Sequence, residues 1–106
     1  MATYRFCVLT SAHAGRVNEL ARWYDEVHIP DCLSLPGFVA AERMEVLDAK
    51  GPADPSWDFL TTYTIETEDL DGTMAMLMDA MRSGRFKGSD AMNGTKALRV
   101  IAKSLA

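Results

Sequence analysis

Apolar and polar positions along this chain change period several times, and each change marks an element. Tyr4 to Thr10 sets Tyr4, Phe6 and Val8 against Arg5, Cys7 and Leu9, an aromatic and β-branched run with the period of a strand buried on much of both faces. Ser11 to Gly15 breaks that pattern. Counting about 100° per residue from Val17, the side chains of Leu20, Ala21, Tyr24, Val27 and His28 fall within one stripe, which predicts a helix from Arg16 to His28. Pro30 pushes the residue before it away from helical backbone, so the helix is expected to end at Ile29, with His28 beside its C-terminus. Leu35-Pro36-Gly37 is a turn, and Phe38 to Leu47, with Glu42, Arg43 and Glu45 interspersed, is a half-exposed strand.

Asp48 to Pro55 is rich in glycine, proline and charge and is too short for a domain linker. Trp57 to Ile65 is the clearest strand, with Trp57, Phe59, Thr61, Tyr63 and Ile65 on one face and Asp58, Leu60, Thr62 and Thr64 on the other. Glu66-Thr67-Glu68-Asp69 puts acidic groups at the start of a second helix, whose apolar face is Leu70, Met74, Leu77, Met78 and Met81 and whose stop is Gly84. Asn93-Gly94 signals a turn, and Ala97 to Lys103 is the last strand. The order βαββαβ folds as a four-stranded antiparallel sheet with two helices on one face, an α+β, ferredoxin-like domain spanning residues 1–106. Its other face, carrying residues such as Leu60 and Ile101, needs a cover, and a second copy of the sheet supplies one, so a homodimer is expected.

With 106 residues, 48% of them hydrophobic and 25% charged, the chain has the makeup of one globular domain with a modest core. The net charge is −4, and Arg16, Arg22, Arg43, Arg82, Arg85, Lys87 and Arg99 are scattered among carboxylates as solvated surface, which excludes a nucleic-acid partner. No apolar run of about 20 residues exists to span a membrane. The N-terminus lacks the pattern of a secretion signal, so a cytoplasmic location is expected, with Cys7 and Cys32 as free thiols. Cys7 reads as a small core residue and Cys32, after Asp31 in a turn, as more exposed. His13 and His28 lack zinc-ligand spacing with the cysteines, and no metal site is expected. Gly84 to Ser89 lacks the Lys-Thr or Lys-Ser of a phosphate loop.

The segment from Gly15-Arg16 through Arg22-Trp23-Tyr24-Asp25-Glu26-Val27-His28-Ile29-Pro30-Asp31, then Leu35-Pro36-Gly37-Phe38, resembles the EthD-type branch of the dimeric α+β barrel superfamily. Thr64 to Leu70 and Ser89-Asp90-Ala91 are similar to the same group, so the resemblance covers most of the chain. It implies a dimeric α+β barrel and, in cofactor-free members, a ligand pocket between helices and sheet where a His or Tyr handles protons. The wider superfamily includes muconolactone-type isomerases, polyketide cyclases, hydroxynitrile lyases and haem-degrading monooxygenases, and a shared fold does not choose among them.

His28 and Tyr24, four residues apart, share a helix face and can address one small molecule. A neutral imidazole there removes an acidic C–H or O–H proton while the phenol donates to the developing oxyanion. Asp25 and Asp31 each lie three residues from His28, and Asp31, nearer the Tyr24 side, is the choice to fix its tautomer. Trp23, Trp57, Phe59 and Tyr63 offer aromatic lining for a planar or apolar substrate, and Met74, Met78 and Met81 a flexible wall. The plainer alternative makes His28 a turn cap and the aromatic residues core. A helix C-terminus and Asp31 raise the His28 pKa and burial lowers it, so titration near 6.5 is expected. The expected function is acid–base chemistry without a cofactor, an isomerase, lyase or cyclase acting on an aromatic or lactone-like compound. The alternatives are a non-catalytic ligand-binding or accessory protein and a haem-binding monooxygenase.

Overall fold

Strand β1 (Ala2–Ala12) pairs antiparallel with β3 (Phe59–Thr67) on one side and β4 (Met92–Lys103) on the other, and β2 (Phe38–Glu45) completes a sheet of order β2-β3-β1-β4. The structure is a computed structural model and describes residues 1–51 and 56–105, so the end of the expected 48–55 connection, residues 52–55, lies outside the described residues. The first helical arm runs as α1 (Val17–Trp23), a π-helical turn over Tyr24–His28 and α2 (Ile29–Leu33), and the second helix is α3 (Leu70–Arg82). The four-stranded antiparallel sheet and two helical arms are the α+β, ferredoxin-like arrangement that the periodicity predicts. Trp57 lies ahead of its strand rather than in it.

The first helix does not end at Ile29. All of Trp23, Tyr24, His28 and Ile29 keep right-handed helical backbone, and the arm continues to Leu33. Proline at position 30 has no N–H, and in an α-helix its ring would crowd the carbonyl four residues earlier. A π turn, in which the Ile29 N–H bonds the Tyr24 carbonyl, widens the helix there. Pro30 then falls in the first turn of α2, where a missing N–H leaves nothing unsatisfied.

Antiparallel pairing sorts the side chains. Tyr4, Phe6, Val8 and Thr10 face the helices together with their partners Lys103, Ile101, Arg99 and Ala97 on β4, so Ile101 belongs to the inner face and not the outer one. Leu9 stands between Leu60 and Leu98, and Cys7 between Thr62 and Val100, on the outer face. Cys7 is accordingly half-buried on that face rather than a core residue, whereas Cys32 is fully buried on the inner side of α2 instead of exposed in a turn. The Asn93-Gly94 turn signal is spent on a bulge: between the Thr10–Ala97 and Ala12–Met92 pairs, β4 advances five residues while β1 advances two, and the Asn93 side chain accepts from the Thr95 N–H.

Two apolar clusters form the core. One gathers Phe6, Cys32, Leu35, Phe38, Tyr63, Ile65 and Leu77; the other is Leu20, Tyr24, Phe59 and Ala91. Asp69 caps α3 by accepting from the Gly72 N–H at 3.0 Å, and the chain leaves α3 through Gly84 at φ 81°.

Gly37 is the turn on which β2 depends. Its φ of 94° is in the glycine region, a Cβ there would meet Thr73 Cγ2 at 3.2 Å, and its carbonyl receives the Glu66 N–H at 2.8 Å. Gly37→Ala is expected to destabilise the fold by about 1–3 kcal/mol in urea unfolding. Gly51→Ala, where a Cβ meets open space, stays within about 0.5 kcal/mol of the parent.

Candidate functional site

Where the two core clusters separate, the helices and the sheet enclose a cavity of about 250 Å³. Its floor is the inner face of the sheet, Phe6, Val8 and Thr10 of β1 with Tyr63 of β3. The first helical arm contributes Trp23, Tyr24 and His28, and α3 contributes Leu77, Met78 and Met81. Gly88 and Ser89 of the segment after α3, with Met92 and Arg99 of β4, finish the wall. That segment is tied to the helical arm at two points. The Trp23 indole N–H donates to the Lys87 carbonyl at 2.9 Å, and Arg16 donates to the Asp90 carbonyl at 3.0 Å.

The π turn decides which side chains meet here. Residues five apart point to different sides of an α-helix, but an i to i+5 hydrogen bond sets residue i+5 above residue i. The Trp23 and His28 rings therefore stack, with centroids 4.4 Å apart and planes at 14°. Tyr24 meets the His28 ring edge-on at 5.9 Å, and Tyr63 meets it perpendicularly at 6.4 Å. The Tyr24 and Thr10 hydroxyls are hydrogen-bonded at 3.0 Å, which anchors the phenol to the sheet.

Cys32, rather than Asp31, is the hydrogen-bonding partner of His28. Nε2 lies 3.6 Å from Cys32 Sγ, and Nδ1 is buried without a partner among the described residues. Asp31 is half-buried and acts on the ring only through its charge, while Asp25 is turned away and forked onto Arg43 at 2.9 and 2.7 Å. The arm's continuation to Leu33 is the cause: His28 is followed by another helical turn, which brings Cys32 against the ring and removes the free helix end that would have favoured its cation. Burial then prevails, and the His28 pKa is lowered to about 4 against the weak opposing pull of Asp31, not held near 6.5. Burial likewise pushes Cys32 up to about 12 and raises the Tyr24 and Tyr63 phenols. At neutral pH the imidazole, the thiol and both phenols are all uncharged.

The structure brings Trp23, Tyr24, His28 and Tyr63 together around the cavity. Phe59 stands one layer back, edge-on to Tyr24 at 6.2 Å and under the Arg43 guanidinium. Trp57 lies outside the lining, with the Lys96 ammonium over its ring. His13 is exposed, and its backbone serves to join β1 to the Ala91 carbonyl. Sequence reasoning missed Thr10, Cys32 and Arg99. The alternation of β1 would have placed Thr10 inward with Phe6 and Val8; the i+4 spacing of Cys32 from His28 was visible, but the expected helix stop concealed it.

No protein-family model matches the chain, and no curated protein does. Solved structures share its fold. A candidate monooxygenase from Shewanella loihica PV-4 superposes with a TM-score of 0.65 at 10% identity, covering 100% of this chain and 98% of the other. An EthD-like protein from Ralstonia eutropha JMP134 gives a TM-score of 0.65 at 10% identity, with 100% and 95% covered. An ethyl tert-butyl ether D (EthD) family protein from Bacillus halodurans C-125 gives 0.55 at 14% identity, with 99% and 100% covered. The chain thus has the ferredoxin-like fold of EthD-type proteins, and at these identities the likeness is one of fold.

A haem iron would require an axial ligand open to the cavity. His28 is the one cavity-lining histidine among the described residues, and in the geometry seen here its Nε2 lies on Cys32 and its Nδ1 is buried, so neither nitrogen is presented to a haem iron. Among the described residues no group of three His, Cys, Asp or Glu side chains could hold a metal ion, and no helix is long and apolar enough to cross a membrane.

The lowered His28 pKa has a consequence for stability. The unfolded chain takes up a proton near pH 6.5 that the folded chain refuses until about 4, so folding weakens as pH falls through that window and the effect is complete below it. Between pH 7 and 4.5 the parent is expected to lose about 2–3 kcal/mol more unfolding free energy than His28→Gln, which has no proton to refuse. Equal losses in urea unfolding at the two pH values would place the ring in solvent.

Proposed function

We propose that the chain is a cofactor-independent enzyme of acid–base chemistry, an isomerase, lyase or cyclase, acting on a small aromatic or lactone-like compound in the cavity. The observation that carries this reading is a neutral imidazole beside two protonated phenols in one small, largely apolar cavity. Such a site strengthens every polar contact to a ligand and exposes no competing charge among these three rings. His28 is the base and Tyr24, braced by Thr10, donates to the oxygen on which charge develops. An imidazole whose conjugate acid has a pKa of about 4 is a weak base, which suits a proton that is already acidic, such as a C–H flanked by two carbonyls or an enolic O–H. Proton transfer requires the ring to turn, because at rest Nε2 lies on Cys32 and Nδ1 is buried.

That covering favours a second reading, a protein that binds the same small molecules and does not turn them over. Turnover by variants separates the two. His28→Gln is expected to lower turnover by ~10²- to 10⁴-fold and Tyr24→Phe by ~10- to 10²-fold, with folding intact by circular dichroism. Full turnover in His28→Gln with loss in Tyr24→Phe would move the chemistry to the phenol. A ligand carried through purification and returned unchanged would favour the binding reading.

The working unit of the proposal is a cytoplasmic homodimer of one-domain subunits joined through the outer sheet face. Leu98 and Val100 are 49% and 48% exposed there, next to Leu9 and Leu60, an apolar surface that water does not favour. Light scattering at micromolar concentration is expected to give twice the 11.7 kDa of the chain, and Val100→Asp, aimed at the centre of that face, to give the single mass.

A further inference from the structure

The cavity wall carries one full charge. Arg99 faces Val8 in the β1–β4 ladder, so its side chain leaves the sheet on the helix-facing side, and it lines the cavity beside the apolar floor. β4 is an edge strand whose residues remain largely open on this side too, Ile101 being 44% exposed and Arg99 itself exposed, so the guanidinium stands at the cavity's rim in reach of water. The described ion pairs engage Arg16, Arg22, Arg43, Lys50 and Arg82, and none engages Arg99. The charge is felt inside, where it lowers the Tyr24 pKa against the larger upward push of burial.

We propose that Arg99 determines the specificity of the cavity by selecting ligands in which a carboxylate is joined to a small apolar body. The proposal rests on the small-molecule reading of the cavity and names its substrate class. A guanidinium fork matches a carboxylate with two parallel hydrogen bonds and holds it in one orientation. Its position at the rim lets the carboxylate keep part of its hydration while the body displaces water from Phe6, Val8, Leu77 and Met81. With the anion fixed at Arg99, the atoms next to the carboxylate lie toward Tyr24, whose phenol is within the field of the same cation.

The test uses Trp57→Phe protein, in which the remaining tryptophan is Trp23 of the cavity wall, titrated with benzoate, hexanoate and their neutral amides and read by indole fluorescence. Each acid is expected to bind roughly 10-fold or more tightly than its amide, and Arg99→Gln to weaken the acids by ~10- to 100-fold while leaving the amides within ~2-fold. Arg99→Lys is expected to fall between, because an ammonium keeps the charge and loses the fork. Equal affinity for acid and amide in the parent, or equal weakening of both in Arg99→Gln, would overturn the assignment of Arg99 and leave the cavity reading standing. Failure of both acids and both amides to bind would overturn the cavity reading and this proposal with it.

Discussion

The site depends on a proline inside a helix. Pro30 cannot continue an α-helix at its position without a clash, and the chain answers with one π turn rather than a break. Because that turn holds an extra residue, it brings Trp23 over His28 and keeps Tyr24 on the inner stripe, so three rings converge where a regular helix would turn Trp23 away. It also lets the arm run on to Leu33, which carries Cys32 to the far side of the imidazole. A break at Ile29 would have left His28 at a free helix end, titrating close to neutrality and facing Asp31. The continuation leaves it buried and neutral. One backbone adjustment thus sets the geometry and the protonation state together.

Electrostatically, the inner face divides into a neutral interior and a charged rim. Burial raises the phenols and the thiol and lowers the imidazole, so every titratable group in the depths is driven to its uncharged form. The remaining cost is polar: a buried Nδ1 without a partner forgoes a hydrogen bond worth about 1–3 kcal/mol of desolvation.

The sheet and its strand order were legible because period-two alternation survives any packing: Phe59, Thr61, Tyr63 and Ile65 are inward as their spacing requires. Tyr24 and His28 were legible as partners for the same reason on a helix. Three things were not. The π turn has no periodic signature of its own, and the rule that proline ends a helix hid both Cys32 and the fall in the His28 pKa. Trp57 and Phe59 looked equivalent to Tyr63 in the alternation, yet one lies outside the strand and the other beneath Tyr24, since lining depends on depth along the strand as well as on face. Arg99 was read as surface because alternation alone separates the two faces of β4 without saying which one turns inward; pairing with Val8 of β1 decides that.

That register also explains why the cavity has a mouth. The helical layer lies over β1 and β3, which are buried from Phe6 to Thr10 and from Phe59 to Ile65 at their inward positions, and it leaves β4 largely bare. A fully covered sheet of this size would close its inner face and bury a larger core. Here the uncovered edge strand sacrifices some of that core, and what it provides instead is an opening flanked by a long, flexible cation. An edge strand with open backbone groups is also a liability for association. The two demands meet on β4, whose outer side chains Leu98 and Val100 are apolar while its inner position 99 is charged. On one strand, alternate residues thus point to opposite faces, Leu98 and Val100 to the outer side and Arg99 to the rim of the cavity, and the period of two that first marked β4 as a strand is what keeps the apolar and the charged positions apart.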